Sequence, residues 1–160
     1  MSTFRGEFEA TVDAKGRFLL PAGIKKKLPE GTTTFMLNRG IEKCLTLYTE
    51  QSWLITEQQV SQLNDFDEEN RVFRRRFLGG VTEVDLDVAG RMLLPPSLKE
   101  YAGLQKDIIL VGLVDKIEIW DSAKYKQLFE DFSSDTYSQL AGRVMGGQNK
   151  PIVPRSIATT

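Results

Sequence analysis

Asp13 and Arg17 stand four residues apart with Gly16 between them, and Asp87, Gly90 and Arg91 repeat the arrangement. A carboxylate that opens a turn accepts hydrogen bonds from backbone N–H groups further along it, and a glycine supplies the positive φ such a turn needs. The arginine can then pair with the carboxylate across its own turn or with the aspartate of a neighbouring loop. Two readings follow. Each D-x-x-G-R segment is either a rivet closing a hairpin or part of a shared binding surface, and two copies at equivalent places favour the surface. The tips differ: the first turn reads Asp-Ala-Lys-Gly-Arg and the second Asp-Val-Ala-Gly-Arg, so Lys15 is replaced by the neutral Ala89.

Other chemistries find little support. The 160 residues include no histidine, which removes imidazole general bases and His-containing zinc sites, and a single cysteine, Cys44, which permits no internal disulfide. Cys44 lies in an apolar strand pattern and reads as a small buried hydrophobe. Asp85 and Asp87 alternate along a strand and share a face where a divalent cation has a conceivable place, without further carboxylates to support it. Nucleotide-binding glycine fingerprints and the G-x-S-x-G elbow are absent from the sequence. An enzyme and a cofactor are therefore not expected. The start, MSTFRGEFEA, has no signal-peptide pattern, and no apolar run nears the roughly 20 residues that span a bilayer, so the expectation is a soluble cytoplasmic protein.

The elements that position these turns come in duplicate. Residues 13–21, DAKGRFLLP, and 87–95, DVAGRMLLP, match at six of nine positions. CLTLYTEQSW (44–53) aligns with KIEIWDSAKY (116–125), and RFLGG (76–80) with RVMGG (143–147). Three blocks in one order describe a duplicated unit, with a first repeat over 1–80, a second over 81–147 and a flexible, proline-containing tail over 148–160.

Within the first unit, Phe8–Val12 and Phe18–Leu20 read as strand, turn, strand, and Pro21 stops the second strand and opens a short helix. Thr32–Leu37 and Lys43–Tyr48 form a further strand pair about Asn38–Gly40. Asp107–Gly112 and Lys116–Trp120 are its counterpart, with a turn near Val114 and Asp115. Helices follow: Trp53, Val60 and Leu63 on one, and Val72, Phe73 and Phe77 on the next, stopped by Gly79-Gly80. In the second unit Tyr125, Leu128, Phe129 and Phe132 make one stripe. Tyr137, Leu140, Ala141 and Val144 make another, capped by Ser134 and ended by Gly146. The fold expected is α+β with a mainly β core: two ββ–short α–ββ–αα units related by a pseudo-twofold axis.

Charge is close to balanced, with 21 Lys plus Arg against 22 Asp plus Glu, but it is unevenly distributed. Residues 1–28 carry six basic and three acidic side chains, whereas 29–70 carry two and eight. A basic loop side on an otherwise acidic chain suits a local anion-binding face. Arg5, Lys15, Arg17, Lys25, Lys26 and Lys27 supply it. The run Arg71, Arg74, Arg75 and Arg76 follows the acidic stretch 65–69, and ion pairing within or between subunits is its expected fate.

The sequence resembles the MraZ family of bacterial regulators, related to the AbrB-type swapped-hairpin fold. The resemblance rests on Phe4-Arg5-Gly6, on Asp13 to Arg17 with Leu-Leu-Pro21, and on Lys43 to Tyr48 with Trp53. In the second half it rests on Asp87 to Arg91 with Leu-Leu-Pro95, Val111-Gly112 and Glu118 to Asp121. It implies a double-split β-barrel of two AbrB-like repeats and a ring-shaped, octamer-like homo-oligomer. It also implies binding, as a repressor, to short G-rich direct repeats upstream of the division and cell-wall gene cluster, in association with the nucleoid. Double-stranded DNA and the chain itself are then the partners, with no membrane and no small-molecule substrate. The main DNA contact falls on Arg17, beside Lys15. Arg91 matches the motif, Arg5, Lys25 and Lys26 are supporting contacts, and Asp13, Gly16, Asp87 and Gly90 shape the turns. The alternative is an interaction scaffold in which the loops bridge subunits through Asp–Arg pairs and touch no nucleic acid.

Overall fold

The computed structural model describes residues 2–146, so the 148–160 tail lies outside the described residues. In the first repeat the order is β1 (Phe4–Thr11), β2 (Arg17–Leu19), α1 (Ala22–Lys25), β3 (Thr34–Arg39), β4 (Leu45–Thr49), α2 (Glu50–Ser61) and α3 (Glu68–Gly79). The second repeat has the same string: β5 (Thr82–Asp85), β6 (Arg91–Leu93), α4 (Pro96–Ala102), β7 (Asp107–Val114), β8 (Ile117–Asp121), α5 (Ser122–Glu130) and α6 (Ser134–Met145). The α+β class with a mainly β core and two like repeats is as the sequence predicts.

The expected hairpins β3–β4 and β7–β8 form, but β1 and β2 find other partners. The six-stranded sheet runs β1-β7-β8-β4-β3-β5, and β2 and β6 form a separate two-stranded ribbon. Each repeat contributes one hairpin, β3–β4 or β7–β8, while β1–β7, β4–β8, β3–β5 and β2–β6 all join one repeat to the other. The expected first hairpin is thus a correction: β1 and β2 both form, but their segments meet only about the turn, through the Val12–Phe18 bridge and the Asp13 N–H to Arg17 carbonyl bond at 2.7 Å. Alternation explains why. A strand with one apolar face is satisfied by any partner that brings another apolar face into the same core, and a local pattern does not name that partner.

The core is the sum of these faces. Phe4, Phe35, Leu37, Leu45, Leu47, Ile108, Leu110, Ile117 and Ile119 come from the large sheet, Phe18 and Met92 from the ribbon, and Ile24 and Leu98 from the short helices. Each large side chain so buried contributes roughly 1.5–3 kcal/mol. Gly6 and Gly112 are direct cross-strand partners between β1 and β7. A Cβ on Gly112 would lie 2.6 Å from the Arg5 backbone nitrogen, so this crossing closes only around glycine.

Residues up to Lys124 form one compact unit. In it, Trp53 is buried edge-on to Tyr48 (5.1 Å between centroids) and stacked on Phe77 (5.6 Å), and Phe77 stacks on Phe73. This aromatic series ties α2 and α3 to β4. Leu63 falls just beyond α2, whose C-cap is Gln62. Arg74 pairs with Asp65, and Arg71 donates to the Asp65 carbonyl at 2.9 Å, so the acidic stretch does engage this arginine run within the chain.

The second unit begins at Tyr125. Tyr125 meets Phe129 edge-on at 5.0 Å. Phe132 lies past the end of α5, and the cap of α6 is Ser133, whose hydroxyl accepts the Thr136 N–H at 3.1 Å, rather than Ser134, which is already helical. Serine one position earlier is the one whose backbone remains extended, the geometry that lets the hydroxyl reach back. No helix among the described residues is long and apolar enough to cross a membrane.

Candidate nucleic-acid interface

Both D-x-x-G-R segments fold into the same turn. In the first, one oxygen of Asp13 accepts the N–H groups of Lys15 and Arg17, each at 2.9 Å, and the other accepts Arg17 Nε at 3.0 Å. In the second, Asp87 accepts the N–H groups of Ala89 and Arg91 at 2.9 Å and Arg91 Nε at 3.1 Å. The Gly16 N–H donates to the Asp13 carbonyl at 3.0 Å and the Gly90 N–H to the Asp87 carbonyl at 2.9 Å. Gly16 and Gly90 adopt φ of +84° and +83°, a region that costs other residues roughly 1–2 kcal/mol.

These bonds govern ionisation. The Arg17 N–H beside Asp13, helped by the Arg17 guanidinium and the Lys15 N–H, holds its carboxyl below the ordinary carboxylate range against the opposing effect of desolvation. Asp87 is lowered in the same way, with its bond from the Arg91 N–H foremost. At neutral pH both aspartates are therefore anions that clamp their own turns. Each arginine is held by Nε, which leaves Nη1 and Nη2 outside this bond, a fork of the shape that matches a guanine edge or a phosphate.

The ribbon sets the turns side by side. Leu20 N–H donates to the Gly90 carbonyl at 3.1 Å and Leu94 N–H to the Gly16 carbonyl at 2.9 Å, so each turn is fastened to the other repeat's strand. Arg17 pairs with Leu93, and Leu19 with Arg91. All four project from one face of the ribbon, with Leu19 and Leu93 59% and 54% exposed, while Phe18 and Met92 point inward. Arg17 and Arg91 are diagonal neighbours, about 7–8 Å apart at the backbone.

The other expected contacts divide. Lys15 is exposed at the first tip. Lys25 leaves its own repeat: a Cβ on Gly90 would stand 3.3 Å from Lys25 Nζ, so this ammonium lies over the second turn. Lys26 is exposed at the C-cap of α1. Arg5 stands apart from the first turn, beside the end of α1. It lines a hollow with Lys27 and Gly23 near the start of β1, roughly 20 Å along the strand from the first turn. Asp85 and Asp87 do not act together either, since Asp85 accepts from Thr34 Oγ1 at 2.6 Å and Asp87 serves its turn.

Two cations escaped the sequence reading. Lys99 and Lys106 line a hollow of about 450 Å³ beside Asp13 and Ala14, where the Lys106 carbonyl accepts the Val12 N–H at 2.7 Å. Lys99 is the repeat counterpart of Lys25. A signal existed: once each repeat's strand pairs with the other's, each short helix must carry its lysine to the other's turn.

A duplicated β-barrel whose polar residues converge on two clamped, arginine-bearing turns is built for recognition. The family model described as "MraZ protein, putative antitoxin-like" matches twice, over residues 3–76 and 77–146. The chain is 42% identical over 151 residues to the "Transcriptional regulator MraZ" of Cytophaga hutchinsonii, covering 94% of this chain and 99% of that protein. It is 40% identical to the protein of that name from Christiangramia forsetii (90% and 94% covered) and 38% identical to that from Acetivibrio thermocellus (82% and 87%). The chain belongs to the MraZ family, whose members are transcriptional regulators and not enzymes.

Proposed function

We propose that the chain is a sequence-specific DNA-binding regulator, a repressor acting on short direct repeats upstream of its own operon in the division and cell-wall gene cluster. One observation carries the reading: Asp13 is engaged inside its own turn and holds Arg17 through Nε, while Arg91, held likewise by Asp87, is its diagonal neighbour across the ribbon, about 7–8 Å away at the backbone. A turn of this width can enter the major groove, where an arginine fork reads guanine O6 and N7. Lys15, Lys25, Lys99 and Lys106 surround the two turns and supply phosphate contacts that hold register without choosing sequence.

One pair of turns offers few contacts, so affinity comes from several copies presented together in a ring-shaped homo-oligomer to spaced repeats. Exposed Leu54, Ile55, Val72 and Phe73 on α2 and α3 provide apolar surface for such self-association. The association with the nucleoid follows from DNA binding. The scaffold alternative needs aspartates free to bridge subunits, and Asp13 and Asp87 are each committed to their own arginine.

The test is fluorescence anisotropy with DNA from upstream of the gene and a scrambled duplex, at two salt concentrations. Wild type should bind the first selectively and lose affinity with salt. Arg17→Ala should lose selectivity while size-exclusion chromatography shows an unchanged oligomer. Disassembly of the oligomer by Arg17→Ala would establish the scaffold instead.

A further inference from the structure

The two turns share one scaffold but carry different tips. Backbone, carboxylate clamp and glycine coincide to within about 0.1 Å in their corresponding side-chain bonds. Where the first turn presents Ala14 and Lys15, the second presents Val88 and Ala89. Val88 is fully exposed and belongs to no part of the core. Single exposed apolar residues are ordinary on protein surfaces. This one differs in standing on a fixed backbone: the flanking Asp87 carboxylate holds the N–H groups of Ala89 and Arg91, so the turn that carries Val88 has a set course. Nor is the second turn without a cation. Lys25 of the first repeat stands over Gly90 and stands in for the charge that Ala89 lacks.

We propose that Val88 is a specificity residue, meeting the 5-methyl group of a thymine in the major groove while Arg91 and Lys25 bind beside it. The proposal rests on the DNA-binding reading and extends it. In the major groove thymine alone among the four bases offers a methyl group, and small apolar side chains are what recognise it. The first turn has Ala14 at the equivalent place, a shorter side chain without the two γ-methyl groups of Val88, and the charged Lys15 next to it. Each subunit would then read two unlike elements, guanine through Arg17 and a thymine-containing step through the second turn. The direction of the site along the DNA would be fixed by that inequality.

The experiment uses the full chain. Duplexes are selected from a randomised pool, and the preferred one is remade with each thymine replaced in turn by deoxyuridine, which removes only the methyl group. Anisotropy titrations compare wild type, Val88→Ala, Val88→Ile and Lys15→Ala. At one or more thymines the replacement should weaken wild type about fourfold, the change expected for one buried methyl-sized group. Lys15→Ala, though weaker throughout, should keep that ratio, Val88→Ile should keep it, and Val88→Ala should lose it. Selective binding that ignores deoxyuridine, or a ratio unchanged in Val88→Ala, overturns this proposal alone. Failure to select any duplex overturns it together with the DNA-binding reading.

Discussion

Phe18 and Met92 face each other across the middle of the β2–β6 ribbon, 1% and 0% exposed, one from each repeat. They are the inward partners of the outward Arg17 and Arg91, so the core beneath the ribbon and the surface above it share one register. Truncating either leaves a cavity under both turns. Phe18→Ala should cost roughly 3–5 kcal/mol and Met92→Ala roughly 2–5. Because they touch, the double variant should depart from additivity by more than about 0.5 kcal/mol in urea unfolding.

Gly16→Ala and Gly90→Ala both force a side chain into left-handed backbone, at a cost of roughly 1–2 kcal/mol each. They should differ in their consequences. A Cβ at Gly16 meets its nearest neighbour at 3.8 Å, whereas one at Gly90 meets Lys25 Nζ at 3.3 Å. Thermal unfolding should show similar losses, because the exposed Lys25 side chain can swing aside, but Gly90→Ala should displace the Lys25 ammonium from the second turn and so weaken DNA binding through it.

Asp13 and Asp87 have carboxyls lowered from an ordinary value of 3.8 by the N–H and guanidinium groups of their turns. Their stabilisation is complete above that value and is lost as pH falls through the lowered one. With no histidine in the chain, no imidazole titrates between pH 5 and 8. Chemical denaturation should therefore find the contribution of the turns constant over that interval and failing only below about pH 4. Asp13→Asn should remove the first turn's share of the acid response.

Lys99 and Lys106 flank the first turn from the second repeat. If each meets one phosphate, alanine at either should weaken specific and nonspecific duplexes alike. Each should also reduce the slope of log affinity against log salt by about 1. A change in base preference on replacing either would contradict the phosphate role.

Val114, the last residue of β7, holds φ at +71° where the chain turns towards β8 and is exposed. A β-branched residue there is strained, so Val114→Gly should stabilise the fold by about 1 kcal/mol in equilibrium unfolding, despite glycine's greater freedom when unfolded.

Most of the elements were legible because each has a local cause. Turn glycines, prolines after Leu-Leu pairs, and helical spacing at Trp53 or Phe77 act within a few residues. The duplicated blocks disclosed the repeated string of elements. Pairing within the β3–β4 and β7–β8 hairpins was legible, but pairing between repeats was not: Phe8–Val12 looks like half of a hairpin, and nothing in its alternation says that Leu110 rather than Phe18 lies beside Phe8. The same gap hid Lys99 and Lys106, which reach the first turn only through that exchange. Cys44 was read correctly as a buried hydrophobe; it has no exposed surface, and burial pushes its thiol up to about 12.

The exchange of strands between repeats has a consequence for biosynthesis. Phe4 pairs with Val114, so the first strand to leave the ribosome must wait for almost the last one of its sheet. At about 5–20 residues per second that wait is roughly 5–20 s, during which an alternating strand has an open edge and no permanent neighbour. A nascent chain halted after its first repeat has the β3–β4 hairpin alone, with β1 and β2 still lacking their partner strands. The two copies of the duplicated unit complete their sheet and ribbon only together.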